Sequence, residues 1–173
     1  MTAVNLSATT LWKLSKVLVV AWAATALPFV DRARADEASI ALGKLIYQDK
    51  ANCGACHGWA GDGQGDPHAS GHAANLRLTT MDRAQLIEVI ACGRPGTPMP
   101  HFDAYAYSDN PCYGLDEAGV DKGKPPEPPN SLQPKEIEAV ADFLQATIVG
   151  KGSPNKAECV AYFGSSNHCS QYR

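Results

Sequence analysis

Apolar residues recur at helical spacing in three separate stretches of this chain, and no stretch alternates apolar with polar residues as a half-buried strand does. Ala38, Leu42, Leu45 and Ile46 form one stripe, which predicts a first helix from about Glu37 with Asp36 as its cap. Leu86, Ile87 and Ile90 form a second, in a helix that follows Thr79 or Thr80 and stops at Gly93. Ile137, Val140, Ala141, Leu144 and Ile148 form a third behind Pro134, a favoured first helical position. Between the first two, Gly58 to Pro67 is too rich in glycine for regular structure. The pattern predicts an all-α domain of three main helices joined by two working loops.

A different apolar pattern occupies the N terminus. Lys13 and Lys16 precede an apolar run from Val17 to Val30, and Ala33-Arg34-Ala35 then offers a small-x-small cleavage site. The run is shorter than the roughly 20 residues a bilayer span needs, so residues 1–35 are expected to be an export leader. Counting from Leu11 gives the alternative, an uncleaved anchor that would put the protein on a membrane facing the periplasm. Cleavage would release a periplasmic chain of one domain over residues 36–150, followed by an extension over 151–173.

Removing the leader changes the charge. The whole chain carries −3, while Lys13, Lys16, Arg32 and Arg34 against Asp31 give the first 35 residues +3, so the mature chain carries −6. That balance argues against a nucleic-acid binder and for protein partners with a basic docking patch, steered by electrostatics.

The densest chemistry is Cys53-Gly54-Ala55-Cys56-His57. C-x-x-C-H is the sequence at which haem is attached covalently: two cysteines three apart on a helical turn present both sulfurs to one side, and the histidine follows on that face. Cys53 and Cys56 are the expected thioether residues and His57 the proximal iron ligand of one haem c. A thioredoxin-like dithiol would need a βαβ context, and a zinc site a second ligand pair. Four cysteines remain in a chain bound for an oxidising space. Short loops cost least entropy to close, which favours Cys92–Cys112 and Cys159–Cys169 over the other pairings.

The distal ligand is expected in Arg94-Pro95-Gly96-Thr97-Pro98-Met99-Pro100, a loop fixed by proline and glycine whose one thioether is Met99. A thioether opposite histidine raises the reduction potential. The competing donors are Met81 by type, and His68, His72 and His101 for a bis-histidine iron.

In this order, C-x-x-C-H, then Gly93 to Pro100, then the helix Glu136-Ile137-Glu138-Ala139-Val140-Ala141-Asp142-Phe143-Leu144, the chain resembles a monohaem class I c-type cytochrome over most of residues 37–150. The resemblance implies a fold wrapped around the haem, in which the first and last helices cross near a small residue and an aromatic. Gly43 and Phe143, with Tyr47 nearby, stand at the matching positions. It also implies a backbone carbonyl that orients the proximal histidine, with Gly71-His72 in the corresponding stretch, and it matches Arg94 to a residue that can neutralise a haem propionate.

Two segments exceed that pattern. The first is an insertion at about 101–130, which holds Cys112, three tyrosines (Tyr105, Tyr107, Tyr113) able to pack it down, and Asp103, Asp109, Asp116, Glu117, Asp121 and Glu127. The second is the tail after Gly150, to which the sequence assigns no task. The expected function is single-electron transfer through a His/Met haem, as a free carrier or as the haem subunit of a larger respiratory or dehydrogenase complex. A haem peroxidase or a gas-binding sensor would require a vacant distal position.

Overall fold

The computed structural model describes the backbone of residues 27–66, 68, 73–109, 112–164 and 167–173, with side chains from residue 36 on. The expected leader, apart from the backbone of 27–35, lies outside these residues, as do Gly71 and His72. Two compact units are distinguished, Met1–Ala35 and Asp36–Arg173. Among the described residues no helix is long and apolar enough to cross a membrane.

The described residues are all-α. The helices are α1 (Leu27–Leu45), α2 (Gly54–His57), α3 (Arg83–Cys92), α4 (Glu117–Val120), α5 (Pro134–Thr147) and α6 (Lys156–Phe163). A π-helical turn, Ile46–Lys50, prolongs α1, and 3₁₀ turns lie at Leu76–Leu78, Asp121–Gly123 and Asn167–Cys169. No strand occurs among the described residues; a lone bridge pairs Cys112 with Leu115.

α5 is the helix its pattern predicts. Pro134 opens it, Glu136 accepts from the Gln133 N–H at 2.8 Å, and Ile137, Val140, Ala141, Leu144 and Ile148 are all buried. At about 1.5–3 kcal/mol for each large apolar side chain taken from water, this one face supplies much of the core. α3 packs against it through Leu86 and Ile90. It begins later than Thr80, because Asp82 accepts from the Gln85 N–H at 2.9 Å while Gln85 accepts from the Asp82 N–H at 3.0 Å. That reciprocal cap fixes the start at Arg83.

α1 departs from its predicted form twice. It is already helical at Leu27, the first described residue, rather than from near Glu37, so Asp36 lies within the helix instead of capping it; residues 29–36 contain no glycine or proline to break it. Its inward face keeps only Ile46 of the predicted stripe. Ala38 is exposed, and Leu42 and Leu45 are 42% and 57% exposed, whereas Gly43, Ile46 and Tyr47 are buried. The reason is the crossing with α5. A Cβ added to Gly43 would lie 1.9 Å from the Ala139 carbonyl oxygen and 2.8 Å from Phe143 Cβ, so the two backbones touch where only glycine fits. Each residue turns the helix by about 100°, which carries Leu42 and Leu45 off that contact. Tyr47 follows Gly43 by one turn, and its ring lies 5.5 Å from that of Phe143.

The insertion is pinned, as its cysteine suggests. Cys92 and Cys112 are disulfide-bonded and form a small core with Ala106, Tyr107 and Val120. Tyr107 packs down fully, Tyr113 is 38% exposed and held by its hydroxyl bond to the Gly93 carbonyl, and Tyr105 is 60% exposed. Of its acids, Asp116 caps α4, Glu117 pairs with Lys124 at 3.1 Å, and Glu127 lies 3.2 Å from His101 Nε2. The tail folds into α6 and a 3₁₀ turn closed by Cys159–Cys169, the second expected bridge.

Candidate functional site

Cys53 precedes α2 as its cap residue, and Cys56 and His57 lie on its single turn. Cys53 and Cys56 remain thiols while the other four cysteines are paired, so the structure sets this pair apart for a different chemistry. Burial pushes the Cys53 thiol up to about 12.

The loop after His57 folds back onto α2. The Gly63 N–H donates to the His57 carbonyl at 2.9 Å, and the Asp66 N–H donates to the Ala55 carbonyl at 2.6 Å. A Cβ at Gly65 would stand 2.3 Å from the Ala55 carbonyl oxygen and 2.4 Å from that of Cys56, which explains a glycine at this point of the loop. Tyr47, buried under the crossing of α1 and α5, donates its hydroxyl to the Gly58 carbonyl at 2.7 Å and ties the loop to the core.

His57 is oriented by a backbone group. Its Nδ1–H donates to the Ala74 carbonyl at 3.0 Å, which fixes the ring and leaves the Nε2 lone pair free to ligate. Burial holds the imidazole below its usual pKa, the bond to Ala74 opposes that, and the Arg94 guanidinium adds to it. The imidazole is therefore neutral, as a metal ligand must be. The carbonyl belongs to Ala74, two residues beyond the Gly71-His72 pair expected to supply it. Asn75 positions it by accepting the Arg77 N–H at 2.9 Å and starting the 3₁₀ turn.

Of the predicted distal loop, the Arg94 guanidinium acts on His57 through its charge. Arg94 itself is exposed, and Met99 is half-buried. Met99 donates its N–H to Thr97 Oγ1 and accepts from the Arg94 N–H, both at 3.3 Å. The competing donors sit elsewhere or are engaged. Met81 packs on the hydrophobic core, and His68 is exposed beside Asp66 at 3.0 Å. His101 is 1% exposed, with Nδ1 3.0 Å from the Asp103 carbonyl oxygen and Nε2 facing Glu127. His72 lies outside the described residues.

Sequence reasoning missed what the tail does here. Trp59, two residues past His57, donates Nε1–H to the Tyr172 hydroxyl at 2.9 Å, and its ring lies 5.3–5.6 Å from those of Tyr172, Tyr162 and Phe163. Arg77 is buried and bonds the Ala60 carbonyl at 3.1 Å, the Lys151 carbonyl at 3.2 Å, the Gly152 carbonyl and the Glu158 carboxylate. Burial raises the Tyr162 hydroxyl to about 12, keeping it neutral. The tail is thus a buttress behind the proximal loop. The one signal for it in the sequence is the aromatic run Tyr162-Phe163 beside a cysteine pair.

A family model described as Cytochrome c matches residues 40–147. No curated protein and no solved structure matches the chain. The cofactor of that family is covalently bound haem c, and the donor set fits it: two thiols spared from disulfides and a neutral, carbonyl-oriented histidine on one helical turn.

Proposed function

This chain belongs to the cytochrome c family, and we propose that it is a periplasmic monohaem electron carrier with His57 and Met99 as axial ligands. When bound, haem c supplies one-electron redox chemistry at its iron. The chain's own residues do the rest. Cys53 and Cys56 would hold the group through their sulfurs, His57 Nε2 would take one axial position, and the Met99 thioether would take the other. Arg94 would set a positive charge beside a propionate. Held by both residues, the iron would be closed to substrate, and His57 and Met99 would serve as its ligands in both oxidation states, so that the chain would need little rearrangement on transfer.

The observation that supports this reading best is the hydrogen bond from His57 Nδ1 to Ala74, which leaves Nε2 as a donor on the same turn as two free thiols. The single C-x-x-C-H motif supports one haem, and the leader pattern supports export. The exposed Asp109, Asp116, Glu117 and Asp121 of the insertion, with the −6 charge of the mature chain, favour a partner that presents a basic patch.

An optical spectrum of the purified holoprotein tests the assignment. The expected result is a low-spin spectrum, a weak near-infrared thioether-to-iron band in the oxidised form, and no carbon monoxide binding to the reduced form. A high-spin spectrum with ready carbon monoxide binding would replace the carrier with an enzyme or a gas sensor.

A further inference from the structure

The insertion holds the Met99 loop at its root, its middle and just past its far end. At the root, Cys92 ends α3 and is bonded to Cys112, while the Tyr107 hydroxyl donates to the Cys92 carbonyl at 3.0 Å and the Tyr113 hydroxyl to the Gly93 carbonyl at 2.7 Å. In the middle, the Gly96 N–H donates to the Gly123 carbonyl at 2.8 Å. Just past the far end, where the insertion itself begins, the His101 N–H donates to the Pro126 carbonyl at 3.2 Å. Within the loop, Thr97 donates its hydroxyl at 2.8 Å and its N–H at 3.1 Å to the Arg94 carbonyl, but the bonds that close on Met99 itself are longer, both 3.3 Å, so anchors outside the loop add to its hold on Met99.

The two root tyrosines are held in an unfavourable backbone conformation. Tyr107 has φ 66° and Tyr113 φ 54°, the left-handed region that a side chain disfavours. Such residues persist where the surroundings over-determine them, and they concentrate at functional positions. Here they flank Cys112 and deliver two hydroxyls to successive carbonyls just before the loop. Tyr107 is fully buried, and burial pushes the Tyr113 hydroxyl up to about 12, so it stays a donor at any ordinary pH.

We propose that the insertion is a clamp on the distal ligand, in which Tyr107, Tyr113 and the Cys92–Cys112 bridge are positioning residues that keep Met99 from being displaced by other ligands. The proposal rests on Met99 being the distal ligand. An exogenous base could reach the iron only if this loop opened; tying its root to a second small core and its middle to Gly123 would raise the cost of that opening.

Imidazole is the probe, added to the oxidised holoprotein and followed by loss of the near-infrared thioether band. Tyr107→Phe and Tyr113→Phe each remove one hydrogen bond and keep the ring, so each is expected to raise the apparent affinity for imidazole by a few-fold to about tenfold, and the double variant by more. Tyr105→Phe, in the same insertion but exposed, is expected to match the wild type. Cys92→Ala with Cys112→Ala should shift affinity in the same direction; where that variant takes up no haem, the phenylalanine variants carry the test. A thioether band in the wild type together with unchanged imidazole affinity in both phenylalanine variants, even with lowered melting temperatures, would overturn the clamp and leave the ligand assignment standing. Absence of the band from the wild type would remove the assignment and the clamp together.

Discussion

Arg77 and Glu158 meet as a shielded ion pair, Nη2 to Oε2 2.9 Å, joining the 3₁₀ turn that follows Ala74 to the helix of the C-terminal tail. Arg77 is 3% exposed and saturated with acceptors, three of them backbone carbonyls. Removing it leaves those carbonyls and a carboxylate without their donor. Arg77→Met is therefore expected to cost about 3–5 kcal/mol, and Glu158→Gln, whose carboxylate is partly in water, about 2 kcal/mol. Urea melts of the holoprotein measure both. Equal, small losses would mean that the pair is solvated rather than buried.

The same tail is closed by Cys159–Cys169, ten residues apart in sequence. Restricting a loop of that size in the unfolded chain is worth about 2.7 kcal/mol. Cys159→Ser with Cys169→Ser is expected to loosen α6 from Trp59, because Tyr162, Phe163 and Tyr172 are all delivered to the indole by the stapled segment. Limited proteolysis should then cut the tail after Gly150 well before the rest of the domain, and the Trp59 emission should change. A double variant as protease-resistant as the wild type would show that the aromatic cluster holds without the bridge.

The crossing of α1 and α5 makes Gly43→Ala a severe substitution for so small a change. Its methyl carbon would need the space 1.9 Å from the Ala139 carbonyl oxygen, a backbone atom that cannot rotate away. Separating the helices would also part Tyr47 from Phe143 and slacken the Tyr47 bond to Gly58 in the proximal loop. A loss of about 3 kcal/mol is expected, with a lower yield of haem-loaded protein. Leu42→Ala, on the exposed side of the same helix, is expected to change stability by less than about 1 kcal/mol, and a larger loss would contradict the face assigned to α1.

The contrast between these two positions shows what the sequence made legible. α5 could be read because its contact face is built from large apolar side chains behind a proline, so its period is visible. The face of α1 is centred on a residue with no side chain, and Leu42 and Leu45 outweigh it in any apolar count. Cys53, Cys56 and His57 could be read because one short motif holds all three. The carbonyl of Ala74 could not, since a backbone acceptor leaves no mark on residue identity. Arg77 was missed for a related reason: its partners at Lys151, Gly152 and Glu158 are long-range, and in sequence it is one arginine in a polar loop. Both disulfides followed from loop-closure entropy, whereas the tyrosine bonds to the carbonyls of Cys92 and Gly93 needed the fold.

Asp142 supplies a pH dependence with a definite sign. Its hydrogen bond with Arg83 at 2.5 Å holds the carboxyl below its usual 3.8; burial opposes this, and the Ser39 hydroxyl at 2.6 Å reinforces it. A depressed folded value means that the unfolded chain takes up the proton first as pH falls. The contribution is fully present above about 3.8 and is lost as pH drops through the folded value. Asp142→Asn should thus be less stable than the wild type near neutral pH, with the gap narrowing below about pH 3.8. Because Asp142 joins α5 to α3 and α1, the comparison also reports on that three-helix junction. A gap that stays constant from neutral pH to acid would assign the stabilisation to packing instead of charge.

The distal assignment makes the sharpest demand on the spectrum, and Met99→His meets it better than deletion of the side chain would. Alanine leaves the iron open to water or to any nearby base, so a changed spectrum could reflect general damage. Histidine can restore a sixth ligand from the same loop position. If Met99 is the ligand, the variant is expected to stay low-spin, lose the near-infrared thioether band and show a lower midpoint potential, since a thioether opposite histidine favours the reduced iron more than a second imidazole does. Protein-film voltammetry and the oxidised-state spectrum read these two changes independently. If the ligand were instead the buried His101, whose Nε2 faces Glu127, neither would move, and His101→Gln would produce the spectral change.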